Sequence, residues 1–349
     1  MSGFPLALVT GATGHLGANL VRRLLDDGQR VRVLLRHGSP GGAVDGLSVE
    51  RAIGDVRDPG SLARAMDGCT HVFHCAARIA ITPGGEREIF ETNVLGTRNV
   101  LVAAARAGVT RVVVTGSLGA VGYHPGRPSD ERDAFDPFAH ALPYEQSKAA
   151  MEHECLKAAV EGQDVVVAIS CAIVGPNDFK PSRMGRVIRD VANGRMRAYI
   201  PGGFEFVAAR DIVQGHLLAM QRGRRGQRYI FSTEYVTVDT LMEWLEQITG
   251  RRRPRFRLPP AVMAAVASVA SPVLSALAPD RPQRLTPAAV RLLRMQRRAD
   301  CSKARSELGY EPTSVRDALR DAFDWFVATG GIPRLTSRAA IPGARVEEV

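Results

Sequence analysis

The chain has 349 residues, 45% of them hydrophobic and 23% charged, and carries a formal charge of +10. That balance excludes wholesale disorder, and the length allows one large α/β domain with a smaller lobe, or two domains. The basic excess is scattered arginine, clustered only at 222–225 and 251–253 without interleaved aromatics, which argues against nucleic acid as a partner.

Leu6–Thr10 is a short apolar run that stops at a glycine-rich turn. Residues 18–25 then carry helical spacing through Leu20, Val21, Leu24 and Leu25, closed by Gly28. Further strands are predicted at 31–35, 49–53, 72–75, 112–115 and 165–169, with helices at 61–66 and 93–107. Continuous apolar strands alternating with helices predict a parallel sheet covered on both faces, and right-handed crossovers make it doubly wound. Later in the chain, 229–231 reads as a strand returning to that sheet. Thr237 reads as the N-cap of a helix through Leu241, Trp244, Leu245 and Ile248, stopped by Gly250.

Between Leu258 and Pro279 there is no charge, but Pro259, Pro260, Pro272 and the serines Ser268, Ser271 and Ser275 interrupt the run. It reads as buried or surface helix rather than a membrane span, and its basic flanks leave weak attachment to a membrane surface open. The five cysteines, odd in number, fit neither a disulfide framework nor a metal site. With no signal peptide at the start, a reducing cytoplasm is the expected compartment and no metal is expected.

Two motifs carry chemistry. TGATGHLG at 10–17 joins the first strand to the first helix. Its glycines Gly11, Gly14 and Gly17 permit a tight turn, close backbone approach to a pyrophosphate, and close helix–strand packing. In YEQSK at 144–148 the tyrosine and lysine are four residues apart, so on a helix Tyr144 and Lys148 share one face. A nearby ammonium is expected to lower the phenol's pKa toward the range of a general acid/base. Ser117 lies just past the strand at 112–115, where a hydroxyl borders the crevice of such sheets.

With its G-x-x-G-x-x-G spacing, the chain resembles the extended class of short-chain dehydrogenase/reductases, closest to the 3β-hydroxysteroid dehydrogenase and dihydroflavonol reductase branch. The resemblance implies a Rossmann core over 1–170, with 205–235 returning to it. A mainly helical substrate lobe over 171–204 and 236–332 and a mobile tail over 333–349 complete the expected organisation. It implies catalytic Ser117, Tyr144 and Lys148, the latter two also contacting the cofactor. It further implies cofactor contacts at Gly11, Thr13, Gly14, His15, Leu16 and Gly17, at Asp55 and Val56 beside the adenine, and at Cys75, Ala76 and Ala77, where the family often has N-A-A. Asn93 of the N-V-x-G-T element, Thr115, and Cys171 and Val174 around the V-y-G-P element complete the set.

The activity implied is hydride exchange between a nicotinamide and a carbinol carbon. The substrate expected is a small, largely apolar, cyclic molecule of steroid, terpenoid, polyketide or flavonoid type. Sugar-nucleotide epimerisation or dehydration uses the same machinery and is the alternative. Redox-sensing binding proteins of this fold generally lack the Tyr/Lys pair. A homodimer is compatible with the sequence. An NAD-selective site wants a carboxylate about 20 positions past the glycines. Arg36 and His37 stand there instead, so NADP(H) is the expected cofactor, with NAD(H) the alternative.

Overall fold

Valine and isoleucine lose little by adopting extended backbone, and uninterrupted runs of them are stable only where both faces are covered. The computed structural model describes residues 5–79, 85–138, 142–259 and 287–333. Its strands are β1 Leu6–Thr10, β2 Arg30–Leu35, β3 Glu50–Ile53, β4 His71–His74, β5 Arg111–Ser117 and β6 Val165–Ser170. They continue with β7 Ala172–Val174, β8 Ala198–Tyr199, β9 Gly203–Ala208, β10 Arg228–Phe231, β11 Glu234–Thr237 and β12 Phe256–Arg257. The helices used below are α1 His15–Asp26, α2 Pro59–Met66, α3 Glu86–Phe90, α4 Gly96–Arg106, α5 Pro143–Val160, α6 Arg183–Ala192, α7 Ala209–Arg222 and α8 Val238–Thr249.

Seven strands form one parallel sheet in the order β10-β6-β5-β4-β1-β2-β3. This is the doubly wound Rossmann arrangement. Strand order reverses between β1 and β4, which opens a crevice beyond their carboxyl ends. Side chains of β5 alternate: Val113 packs with Leu20, Leu24 and Ile212 on one face, while Val112 and Val114 pack with Leu62, Val100 and Met151 on the other. All three valines are fully buried, and each contributes about 1.5–3 kcal/mol of transfer free energy.

The second half departs from expectation in one respect. Within 205–235, β10 pairs with β6 at the sheet edge and α7 packs on the sheet, but β9 does not join it. Instead β9 pairs in parallel with β7 and antiparallel with β11 in a separate three-stranded sheet. The chain leaves the main sheet at Cys171, and a second apolar core of Val174, Ile188, Phe206, Leu241, Leu245, Leu319 and Phe326 then covers the small sheet. The helix predicted at 93–107 also differs, because it opens with a π turn over Glu91–Leu95 before α4. Most of the uncharged 258–279 run and the tail from 334 onward lie outside the described residues. Among the described residues no helix is long and apolar enough to cross a membrane.

Candidate active site

The turn after β1 is shaped by what it cannot hold. Gly11 has φ +71°, and a Cβ there would lie 2.6 Å from the amide nitrogen of Ala76. At Gly17 a Cβ would lie 2.3 Å from the carbonyl oxygen of Gly11. Both contacts are with backbone, so only glycine fits. Gly14 begins α1 with no capping side chain, which leaves the first-turn amides and the positive helix end directed at the crevice. Thr13 is half-buried and Leu16 buried in the core below. A pyrophosphate suits this cradle.

The His15 side chain is engaged by a neighbouring loop. Its Nε2 lies 3.1 and 3.0 Å from the carbonyl oxygens of Gly175 and Pro176, so this nitrogen carries the proton and donates. Asn19 Nδ2 adds a 2.9 Å bond to Pro176. The imidazole therefore ties the loop after β7 to α1, and only the backbone of His15 belongs to the cradle. Val174, just before that loop, is buried in the outer core, while Cys171 is half-buried with its thiol pushed up by burial.

Beyond the carboxyl ends of β2 and β3 lies a pocket of about 650 Å³ lined by Arg36, His37, Asp55, Arg57, Ser61, Arg64 and Lys180. Asp55 is taken up locally: Arg57 pairs with it at 2.9 Å and holds its carboxyl below the usual range. Arg36, Arg64 and Lys180 make no ion pair with any described residue, whereas Arg57 in the same pocket is held by Asp55. Val56 is buried against Gly96, where a Cβ would lie 2.8 Å from its methyl.

On the other side of the crevice, Pro143 occupies the first turn of α5 and the Glu145 carboxylate accepts the Leu142 N–H at 2.8 Å. This start places Tyr144 and Lys148 one turn apart, beside Ser117 at the end of β5. Lys148 is buried, its Nζ donates to the Thr115 carbonyl at 2.6 Å, and burial pushes it down to about 8, opposed chiefly by Glu152. Tyr144 departs from the expected lowering. Burial raises its phenol, the nearby Ser117 hydroxyl acting the other way, while the ammonium of Lys148 is directed at Thr115. A raised phenol is the proton-holding form, which suits a donor.

Neutral bonds connect the two sides. Thr97 Oγ1 donates to the Asn93 carbonyl at 2.7 Å, so it accepts from His74 Nε2 at 3.0 Å. His74 Nδ1 then accepts from Thr10 Oγ1 at 2.7 Å. Burial lowers His74 to about 3, consistent with a neutral ring. Asn93 is itself buried: Oδ1 accepts from Arg78 N, and Nδ2 donates to Arg78 O and Ser147 Oγ. Its amide thus clamps the loop containing Cys75, Ala76 and Ala77 to α5 instead of projecting into the crevice. His216 Nδ1 donates to Ile212 O, leaving Nε2 to accept from Thr115 Oγ1 at 2.8 Å. The Cys75 thiol is pushed up to about 11 by burial, the nearby Thr115 hydroxyl acting the other way.

Sequence reasoning missed His74, His216, Ser147, Glu152, Arg64 and Lys180. Of these only Lys180 left a signal, as one of four lysines in an arginine-rich chain. Among the described residues no group of His, Cys, Asp and Glu side chains could hold a metal ion.

Comparison with known proteins agrees with this geometry. A model of the NAD dependent epimerase/dehydratase family matches residues 7–231. Sterol demethylase protein B of Methylococcus capsulatus is 47% identical, over 93% of this chain and 99% of that protein. A putative dihydroflavonol 4-reductase of Synechocystis is 37% identical over 91% and 93% of the two chains. Among solved structures, gox2253 is 33% identical with a TM-score of 0.82, over 94% of this chain and 99% of that one. DesIV, a dTDP-glucose 4,6-dehydratase of Streptomyces venezuelae solved with NAD and TYD bound, is 25% identical with a TM-score of 0.76, over 93% and 98%.

Proposed function

Because this chain belongs to the NAD-dependent epimerase/dehydratase family, we propose that it is a dehydrogenase/reductase exchanging hydride between a nicotinamide cofactor and the carbinol carbon of an apolar, cyclic substrate. The observation that carries this reading is the placement of Tyr144, Lys148 and Ser117 around one crevice, facing the glycine cradle across it.

The nicotinamide, when bound, donates or accepts the hydride. In reduction Tyr144 Oη gives its proton to the substrate oxygen; in oxidation it takes that proton as the C–H bond breaks. Ser117 Oγ orients the oxygen. Lys148 would hold the nicotinamide ribose and favour the phenolate of Tyr144. The first-turn amides of α1 hold the pyrophosphate. At the far rim, Arg36 with Arg64 and Lys180 accepts a 2′-phosphate, so NADP(H) is the cofactor we assign. Neutralisation of Asp55 by Arg57 supports that assignment, since a free carboxylate there would repel the phosphate.

An apolar substrate is supported by the 47% identity to a protein named for sterol demethylation. The second reading, a sugar-nucleotide epimerase or dehydratase, is favoured by likeness to the dTDP-glucose dehydratase. A panel of cyclic alcohols and ketones beside UDP- and dTDP-sugars separates them. We expect stoichiometric change in nicotinamide absorbance with the cyclic substrates. Conversion of a sugar nucleotide without net absorbance change would overturn the first reading.

A further inference from the structure

A lysine in the protein interior loses its proton unless an anion faces it. Lys148 is 4% exposed, and its neighbours can be taken in turn. His74, from β4, and His216, from α7, are buried and neutral, at about 3 and about 4. The Cys75 thiol past β4 and the Cys155 thiol of α5 are both pushed up by burial and carry no charge at neutral pH. Tyr144 holds its proton. Glu152, one turn beyond Lys148 on α5, is the remaining acidic group.

Its placement is specific. Arg228 of β10 pairs with Glu152 Oε2 at 2.8 Å, and Arg228 is itself fixed by bonds of 2.9 and 2.6 Å to the Glu131 carbonyl. The other oxygen, Oε1, is buried with no hydrogen-bond partner among the described residues. It lies against Gly116, where a Cβ would come within 3.2 Å of it. Lys148 Nζ bonds the Thr115 carbonyl, which belongs to the Thr115–Gly116 peptide. Ammonium and carboxylate therefore flank one peptide unit, and the residue between them has no side chain to separate them.

We propose that Glu152, anchored from behind by Arg228, is a positioning residue that keeps Lys148 in its ammonium form. Its unpartnered oxygen supplies the only negative charge facing that ammonium among the described residues. Burial raises the Glu152 carboxyl, and the permanently charged guanidinium at 2.8 Å acts the other way, favouring the anion. Its value for turnover rests on the reading that Lys148 assists Tyr144. A bland alternative is that Glu152 and Arg228 only fasten α5 to β10, and the test is chosen to separate the two.

With four lysines in the chain, ¹³Cε-lysine labelling gives four titration curves. In the unmodified protein Lys148 should titrate near pH 8. In Glu152→Gln its midpoint should fall by about one pH unit or more, and the alkaline limb of kcat/KM should fall with it. Glu152→Asp, which retracts the carboxylate by one methylene, should give a smaller fall, and it serves alone if the glutamine variant does not fold. An unmoved Lys148 midpoint in the folded variant overturns the proposal, whatever happens to activity. If the midpoint moves but Tyr144→Phe remains active, the catalytic reading fails while the charge relation stands.

Discussion

Replacing Arg36 with Asp should reverse the cofactor preference. Arg36 is exposed and lines the pocket beyond β2 and β3, with no ion pair or side-chain hydrogen bond among the described residues. A charge-assisted hydrogen bond to a 2′-phosphate contributes about 1.5–3 kcal/mol. At about 1.4 kcal/mol per tenfold, the unmodified protein should bind NADPH roughly 10- to 100-fold more tightly than NADH. The aspartate removes that contact and adds repulsion between two anions, while offering an acceptor to the 2′-hydroxyl of NADH. Arg64 and Lys180 line the same pocket, so some NADPH binding should survive. Because these groups meet solvent, the preference should shrink as salt rises. Fluorescence titrations of both cofactors at two ionic strengths, with kcat/KM for each, provide the measurement. Equal or better kcat/KM with NADH in the unmodified protein would refute the reasoning and leave the Tyr144–Lys148 chemistry untouched.

Tyr144→Phe should remove all but about a tenth or less of turnover while cofactor binding stays close to normal, because the ring still packs and only the proton is lost. Lys148→Ala should weaken both, as seen by comparing turnover with cofactor Kd. Gly17→Ala pushes a methyl against the Gly11 carbonyl and should cost about 1–3 kcal/mol of stability with weaker binding of either cofactor, read by thermal melting and titration. Acid should unfold the protein through its buried histidines. His74 and His216 have folded-state values of about 3 and about 4, below the free value near 6.5, so the unfolded chain binds more protons and stability rises with pH. Stability should be full above about pH 6.5 and fall toward pH 4 by up to about 2.7 kcal/mol per pH unit, two protons' worth. A flat denaturation midpoint across that window would contradict two neutral buried imidazoles.

The parallel sheet was legible because β1 and β6 are continuous apolar runs buried along their whole length, a pattern that burial on both faces explains. The glycine turn and the Tyr144/Lys148 pair were legible for a related reason: their requirements are local, a backbone without Cβ atoms and an interval of one helical turn. What escaped depends on partners distant in the chain. His74 meets Thr97 and Thr10, Glu152 meets Arg228 from 76 residues away, and no spacing announces either contact. The side-chain bonds of His15 were not legible because their partner, the loop at 175–176, comes from the far half of the sequence. The π turn at 91–95 is a one-residue insertion that leaves hydrophobic periodicity almost unaltered. The segment 205–235 was expected to return to the core as a whole, and an apolar run such as that of β9 does not specify which sheet it joins.

The hydrogen-bonded line from Thr10 through His74, Thr97 and Asn93 to Ser147 joins the floor of the cofactor cradle to the helix that presents Tyr144. Every member is neutral, so the line acts as a strut: it sets a distance and transmits no field. Its failure should have its own signature. Shortening Asn93 or Ser147 would let the hydride path and the proton path drift apart by fractions of an ångström, lowering kcat while every titration midpoint stays in place. Damage on the Glu152 side would do the converse, moving midpoints with the spacing intact. Distance and charge in this crevice are thus governed by separate sets of buried side chains, and either can be altered with the other held constant.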